Sequence, residues 1–543
     1  MTRKFITTLT LTSIIASLGS AGILPEIAQE AFNLPIEENI PDAIDFGRQY
    51  THHSNDGDFL AAFKPHIPYW LKPMVDSEKL QSKIELEDLN STAWELYDIA
   101  THSEKKYGHP TRVIGSPGHW DTIRFILEQF EDMRDYYDVS LQTFKALSGR
   151  INSFNLSESK SGENFPNISG FSLSPPVKPF VGKLVEIPNL GCSEADFEAV
   201  EPPSNSGVKQ IALIERGLCP FGDKSKLAGK FGFHAAVIYD NDPNATDGLH
   251  ATLGKPNKNT VATIGVPFEL GRTFIDNIYA DPDYSLYFAM DSYVENIKTK
   301  NIIAETRHGD GNNIVALGAH SDSVEEGPGI NDDGSGTISL LTVAKQSTHF
   351  KINNKVRFAW WSAEEEGLLG SNYYAYHLSE KENKKIRLFM DYDMMASPNY
   401  ENEIYDANNI DNPKGSEELR DLYIDFYKQR GLNYTLIPFD GRSDYVGFIE
   451  NGIPAGGIAA GAEKDNVFNG GVLDKCYHLL CDDVSNLNWE AFLTNTQLIA
   501  HSVATYAKSL KGFPERESKN ETASISALKT TPLFKYQGNA LVI

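Results

Sequence analysis

Three short segments between Ile314 and Asp393 hold most of the groups able to do chemistry: GAHSDSV, GPGINDDGSG and WWSAEEEG, followed by MDYDMM. His320 and Asp322 stand at i and i+2 near the end of an apolar run, which suits an imidazole ligand and a carboxylate that fixes its tautomer. Asp332 follows a glycine-rich turn, where backbone freedom lets a short carboxylate reach between two ions. Glu365 and Asp393 each close another apolar run, and His478 lies far downstream in CYHLLC. Two neighbouring divalent ions need a bridging carboxylate plus one imidazole and one further carboxylate each. A borderline metal such as zinc accepts that mixture of nitrogen and oxygen. The chain supplies this set.

Such residues need elements to aim them. Val315 and Leu317, the run Val356 to Trp361, and Ile386 to Phe389 are apolar and β-prone, and helical segments Ile338–Gln346 and Leu368–Leu378 lie between them. This alternation predicts βαβ units in a parallel sheet, with the acids and imidazoles at the carboxyl ends of the strands, where open α/β sheets bind ligands. Upstream, Ser91–Ser103 and Trp120–Asp135 have helical spacing around the stretch TRVIGSPG, and Tyr136–Phe144 reads as a strand. From about Pro175 to Ser285 the pattern changes to short β-prone runs, Lys209–Ile214, Ala235–Tyr239 and Thr263–Pro267, with no cluster of acids or histidines, which predicts an inserted domain. Strands Ile302–Thr306 and Ile314–Ala319 and the helix Trp489–Leu510 return to the first domain, and the end of the chain turns apolar in LFKYQGNALVI. Trp360, Trp361, Tyr373 and Tyr374 read as core or pocket wall, and His52, His53, His234, His308 and His377, lacking carboxylate company, as surface or packing residues.

The chain has 543 residues, more than one ordinary core organises, and a formal charge of −25, which opposes binding to nucleic acid. Arg3 and Lys4 precede an apolar stretch from Phe5 to Leu18 with small residues after it, the pattern of a secretory signal peptide over residues 1–21. No stretch is long enough for a transmembrane segment. Export leads to the extracellular medium or a vacuolar lumen, where the four cysteines Cys192, Cys219, Cys476 and Cys481 are expected to pair, in one of three ways. Asn90, Asn155, Asn167, Asn244, Asn433 and Asn520 head glycosylation sequons. The polar stretch 22–76 reads as a pro-segment or amino-terminal extension, and the composition says nothing of oligomeric state.

The succession GAHSDSVEEGPGINDDGSG, RFAWWSAEEEGLLGS, YDMMASPN, GRSDYVGFIENGIPAGG and DKCYHLLCDD resembles the co-catalytic di-zinc aminopeptidases typified by aminopeptidase Y. The resemblance implies a zinc-exopeptidase-like α/β fold, a mostly parallel mixed sheet with helices on both faces. It implies two zinc ions per chain, with His320 and Asp393 on one, Glu365 and His478 on the other, Asp332 bridging them and Asp322 orienting His320. It assigns Glu364 as the base for a water bridging the ions, Tyr477 to the oxyanion, and a cis peptide to Asp332–Asp333. Arg442, Ser443 and Asp444 match the family's substrate-side segment. Implied substrates are peptides with a free amino terminus, whose α-ammonium meets Glu364, Asp393, Glu366 or Asp444.

The stretch IALIERGLCPFGDKSKLAGKFGFHAAVIYDN resembles the protease-associated domain, giving a β-rich insertion at 175–285 between the two parts of a peptidase domain, 77–174 and 286–511, with a tail at 512–543. On that resemblance Cys192 pairs with Cys219 and Cys476 with Cys481. The rival readings are a carboxypeptidase or a glutaminyl cyclase on the same fold, and a metal-free, receptor-like binding protein.

Overall fold

The computed structural model describes residues 67–200, 208–516 and 534–543. The proposed signal peptide, residues 22–66 of the amino-terminal extension, His52, His53 and Asn520 lie outside them.

Strands Asn354–Trp361, Asp310–His320, Ile386–Tyr392 and Ala455–Ala459 lie side by side and parallel. Short strands Glu403–Tyr405 and Thr435–Ile437 extend one edge, and Ser285–Thr306 runs antiparallel on the other. The central strands are covered on both faces, as parallel sheets require. One face carries the helix Gly334–Ser347, buried around nearly its whole circumference because it is wedged between the sheet and the helix Trp489–Lys508. Helices Leu86–Thr101 and Pro117–Gln129 complete this layer. On the other face Phe389 stacks on Phe448 at 3.7 Å, with Trp361 and Tyr374 against them. The helical segment expected at Leu368–Leu378 occupies Leu369–Tyr376.

The expected strand ending at Phe144 continues to Glu158, and the expected Ile302–Thr306 strand starts at Ser285. The two pair antiparallel from Tyr137↔Thr306 to Glu158↔Leu286, a ribbon with one register shift between Ile151 and Ser153. Residues 147–155 of the first strand bury no side chain, whereas the facing strand alternates and sends Leu286, Phe288 and Met290 into the second lobe's core. Val177–Glu186 pairs with the far half of Ser285–Thr306, and parallel strands Gln210–Glu215, Ala235–Tyr239 and Ala262–Val266 follow, so one sheet runs through both lobes. Leu213, Val237, Ile264 and Phe274 form the second lobe's own core.

Trp360 is the largest fully buried side chain of the first core: its indole N–H donates to Thr337 O at 3.2 Å and Phe130 meets its ring edge-on at 5.5 Å. Trp360→Ala is expected to cost about 3–5 kcal/mol through the cavity it leaves, to be read as a lowered urea midpoint with an unchanged denaturant slope.

Candidate metal centre

Three chain segments reach the site from the carboxyl ends of parallel strands. His320 is the last residue of its strand, Asp393 follows the last residue of Ile386–Tyr392, and Glu364 and Glu365 come shortly after Trp361. Asp332 comes from the turn that opens the helix Gly334–Ser347, and the peptide joining it to Asp333 is cis. His478 is held between Cys476 and Cys481, which are bonded to each other; Cys192 and Cys219 form the other disulfide. Ala363, Met394 and His478 have φ of 61°, 57° and 59°, a region L residues avoid unless their surroundings fix it. These residues include or immediately adjoin three of the candidate groups, so local backbone preference has been overridden where the chemistry is placed.

The two oxygens of Asp332 face different imidazoles. Oδ1 is 3.1 Å from His320 Nε2, and Oδ2 is 3.0 Å from His478 Nε2. Asp393 Oδ1 lies 3.7 Å from His320 Nε2, and Glu365 Oε2 lies 3.2 Å from His478 Nε2. His320, Asp332 and Asp393, and likewise Asp332, Glu365 and His478, can each bring one ligand atom within 4.8 Å of the others. Glu364 stands on the His320 side, its Oε2 3.9 Å from Nε2. A nitrogen and oxygen donor set suits zinc, and Glu365 Oε1 and Asp393 Oδ1 are buried without a hydrogen-bond partner, as ligand atoms awaiting a cation would be.

The electrostatics agree. Burial opposes charging His320, yet Glu364, Asp332 and Asp393 hold its pKa well above the ordinary imidazole value; for His478, Glu365 and Asp332 do the same against burial. Asp332 is the converse, its burial outweighed by the two imidazoles, which pull its pKa below the usual carboxylate range. Burial, aided by Glu365 and Asp444, pushes Glu364 far up in spite of His320. Glu366 rises through burial and its neighbour Asp322.

Asp322 departs from its expected role. Its Oδ1 is 3.8 Å from His320 Nδ1, beyond hydrogen-bond reach, and its carboxylate instead accepts the N–H groups of Glu364 and Glu365 at 3.3 and 3.4 Å. It fixes the turn that presents the two glutamates. Tyr477 stacks on His478 at 3.9 Å, and its hydroxyl donates to Asn539. Ser443 donates to Asp393 at 3.0 Å, Asp444 is buried nearby, and Arg442 makes a forked pair with Glu463 at 2.9 and 3.2 Å.

Several residues that sequence reasoning passed over hold the site. Asp333 accepts the N–H groups of His320, Gly336 and Met394 at 3.0, 2.9 and 3.1 Å. Asp482 accepts those of Asn331 and Asp332 at 3.0 and 3.1 Å. Arg112, fully buried, donates to the carbonyls of Ser321, Pro328 and Gly329 on both sides of the loop that follows His320. The doubled aspartate in GINDDGSG and the arginine in TRVIGSPG were visible, but their acceptors and donors are remote in sequence. Trp360, Trp361 and Tyr374 are core residues, while His308 and His377 stack on Tyr69 and Tyr373 at 3.7 and 3.9 Å. His234 packs by Phe180. Asn90, Asn167, Asn244 and Asn433 are exposed; Asn155 is half-buried in its strand, its amide donating to Asn164.

Residues 301–503 match the model for peptidase family M28, and residues 180–274 match the PA domain. Aminopeptidase Y of Saccharomyces cerevisiae is 67% identical over 531 residues, 97% of either chain. Leucine aminopeptidase 2 of Trichophyton equinum is 42% identical over 468 residues, covering 83% of this chain and 90% of its own. Among solved structures, the aminopeptidase from Aneurinibacillus sp. strain AM-1 superimposes with a TM-score of 0.65 at 26% identity, over 80% of this chain and 96% of its own. With identity this high over nearly its full length, and the same fold and lobes, the chain belongs to peptidase family M28.

Proposed function

We propose that this protein is a zinc aminopeptidase, with two zinc ions per chain, that removes the amino-terminal residue of peptides. The observation that carries the reading is the bridging position of Asp332, one oxygen toward His320 and the other toward His478, with Asp393 and Glu365 beside them. His320 and Asp393 would hold one ion, His478 and Glu365 the other, and Asp332 both. When bound, such a pair lowers the pKa of a water and polarises the scissile carbonyl.

The chain's own groups do the rest. Glu364, buried beside His320 and outside the His478 pair, is the proton acceptor and later returns the proton to the leaving amine. Asp322, by fixing the N–H groups of Glu364 and Glu365, keeps base and ligand in their separate positions. The Tyr477 hydroxyl donates to the developing oxyanion. Asp444 Oδ1 is buried and unbonded, which supports capture of a substrate's α-ammonium one residue from the scissile bond. A metal-free binding protein would have no need of the whole ligand set. A carboxypeptidase would call for a cation, not carboxylates, at the substrate's end.

We further propose that residues 1–21 direct export, that 22–76 is a pro-segment or extension, and that the peptidase domain comprises 77–174 and 286–511 around an insertion at 175–285. The destination is the medium or a vacuolar lumen, with glycans on the exposed sequon asparagines. Among the described residues no helix is long and apolar enough to cross a membrane, and both disulfides fit an oxidising compartment.

Glu364→Gln is expected to lower kcat by about 10²–10⁴-fold with full zinc content, whereas Glu365→Gln loses zinc; elemental analysis beside kinetics separates base from ligand, and the reverse pattern would exchange their roles. Chelation should abolish turnover of aminoacyl anilides and zinc should restore it. Paired peptides differing only in amino-terminal acetylation test the exopeptidase reading. The free peptide should lose one residue at a time and the acetylated one stay intact; equal turnover of the two, or release from the carboxyl end, refutes an aminopeptidase.

A further inference from the structure

The end of the chain lies in the site. Residues 534–543 form a hairpin, Tyr536–Gln537 paired with Ala540–Leu541, whose turn carries Gly538 and Asn539. The Asn539 carboxamide oxygen accepts from the Tyr477 hydroxyl and, at 2.9 Å, from Arg442 Nη2, and its nitrogen lies 3.2 Å from His478 Nε2. Gln537 donates to Gly367 O at 2.8 Å on the opposite wall, beside the Glu364–Glu366 turn. The hairpin therefore spans from the glutamates to the disulfide loop. Both of its ends are anchored. Phe534 is buried against Phe439 and Tyr445, and Leu541 exchanges backbone hydrogen bonds with His250 and Thr252 of the second lobe at 3.1 and 3.0 Å.

A side-chain carboxamide has the same C=O and N–H groups as a peptide bond. Asn539 presents its C=O to Tyr477, the group assigned to the oxyanion, and its amide nitrogen sits beside His478, an assigned ligand. With it in place, a cavity of about 70 Å³ remains beside Asp393, Met394 and Tyr405, well under the roughly 300–1,000 Å³ of sites that house small ligands. Peptide and hairpin cannot both be accommodated. A tethered occupant meets its site at an effective concentration on the order of millimolar, so even weak contacts hold it there.

We propose that residues 534–543 are a built-in, displaceable occupant of the substrate site, with Asn539 standing in for the scissile peptide, so that every substrate competes with the enzyme's own hairpin. This rests on the aminopeptidase reading above. If the hairpin is seated about nine-tenths of the time, the apparent KM is raised about tenfold over that of the open form.

The test uses the full chain, the variant Asn539→Ala, which keeps the Phe534 and Leu541 anchors, and a chain ending at residue 533. Asn539→Ala and the truncated chain should lower KM for leucyl anilide about tenfold with kcat changed less than twofold. The amino-terminally acetylated peptide of residues 534–543, which an aminopeptidase cannot consume, should bind the metal-free truncated chain by calorimetry, bind the full chain far more weakly, and inhibit the zinc-loaded truncated enzyme competitively. A lowered kcat at unchanged KM in Asn539→Ala would overturn the proposal, since Asn539 would then serve turnover, as would a peptide that fails to bind the truncated chain. Should no form turn over any free-amine anilide, the aminopeptidase reading has failed instead. Binding to the metal-free chain then decides alone: selective binding to the truncated form supports the occupant, and its absence refutes it.

Discussion

One buried carboxylate joins the parts of the site. Asp333 accepts backbone N–H groups from the end of the His320 strand, from the residue after Asp393, and from the first turn of its own helix. All three belong to segments that carry candidate ligands, and Asp332, which lies between the two imidazoles, is its immediate neighbour. Side-chain rotamers alone would leave these groups free to drift. Tying their main chains to one buried carboxyl group at a helix N-terminus sets the spacing before any ion arrives. Asp482 repeats the device for Asn331 and Asp332, and Asp322 for the two glutamates.

Such an arrangement concentrates like charge in a poorly hydrated place. Asp322, Asp332, Asp333, Glu364 and Asp444 are all buried, and burial raises the pKa of four of them, Asp332 being the exception. Arg112 and the two imidazoles offset part of this, and Arg112 spends its hydrogen bonds on carbonyls while its charge faces Asp322 and Asp333. The remainder is an electrostatic reason for a cation. Because the unfolded chain has no comparable site, ion binding and folding are thermodynamically linked, and a site loaded at a thousand times its dissociation constant adds about 4 kcal/mol.

The central strands, the two helices between them and the side chains that meet at the candidate site were legible in the sequence, because apolar runs of strand length end in unusual acids and imidazoles at His320, Glu365 and Asp393. The placement of Asp332 between His320 and His478 is in keeping with its glycine-rich turn. What escaped notice depends on distance along the chain. Arg112 meets carbonyls more than two hundred residues away, and Asn539, in a tail with one weak apolar run, reaches residues about sixty positions upstream. The geometry of Asp322 also escaped, because i and i+2 on a strand share a face whether or not the side chains touch. The long ribbon was cut short at Phe144 for a related reason: a strand covered by few neighbours has no apolar face to announce it.

That ribbon gives the insertion its character. Residues 137–158 and 285–306 leave the peptidase sheet as a register-matched pair and return the same way, so the second lobe is the elaborated far end of a hairpin. A splice at any facing pair, such as Leu147 and Asn296, would break the chain twice and the ladder once, without touching the strands that carry His320, Glu365 or Asp393. The seam makes the lobe a cassette, joined to the peptidase sheet through two facing strands. In the hands of an engineer, the same seam is a grafting point.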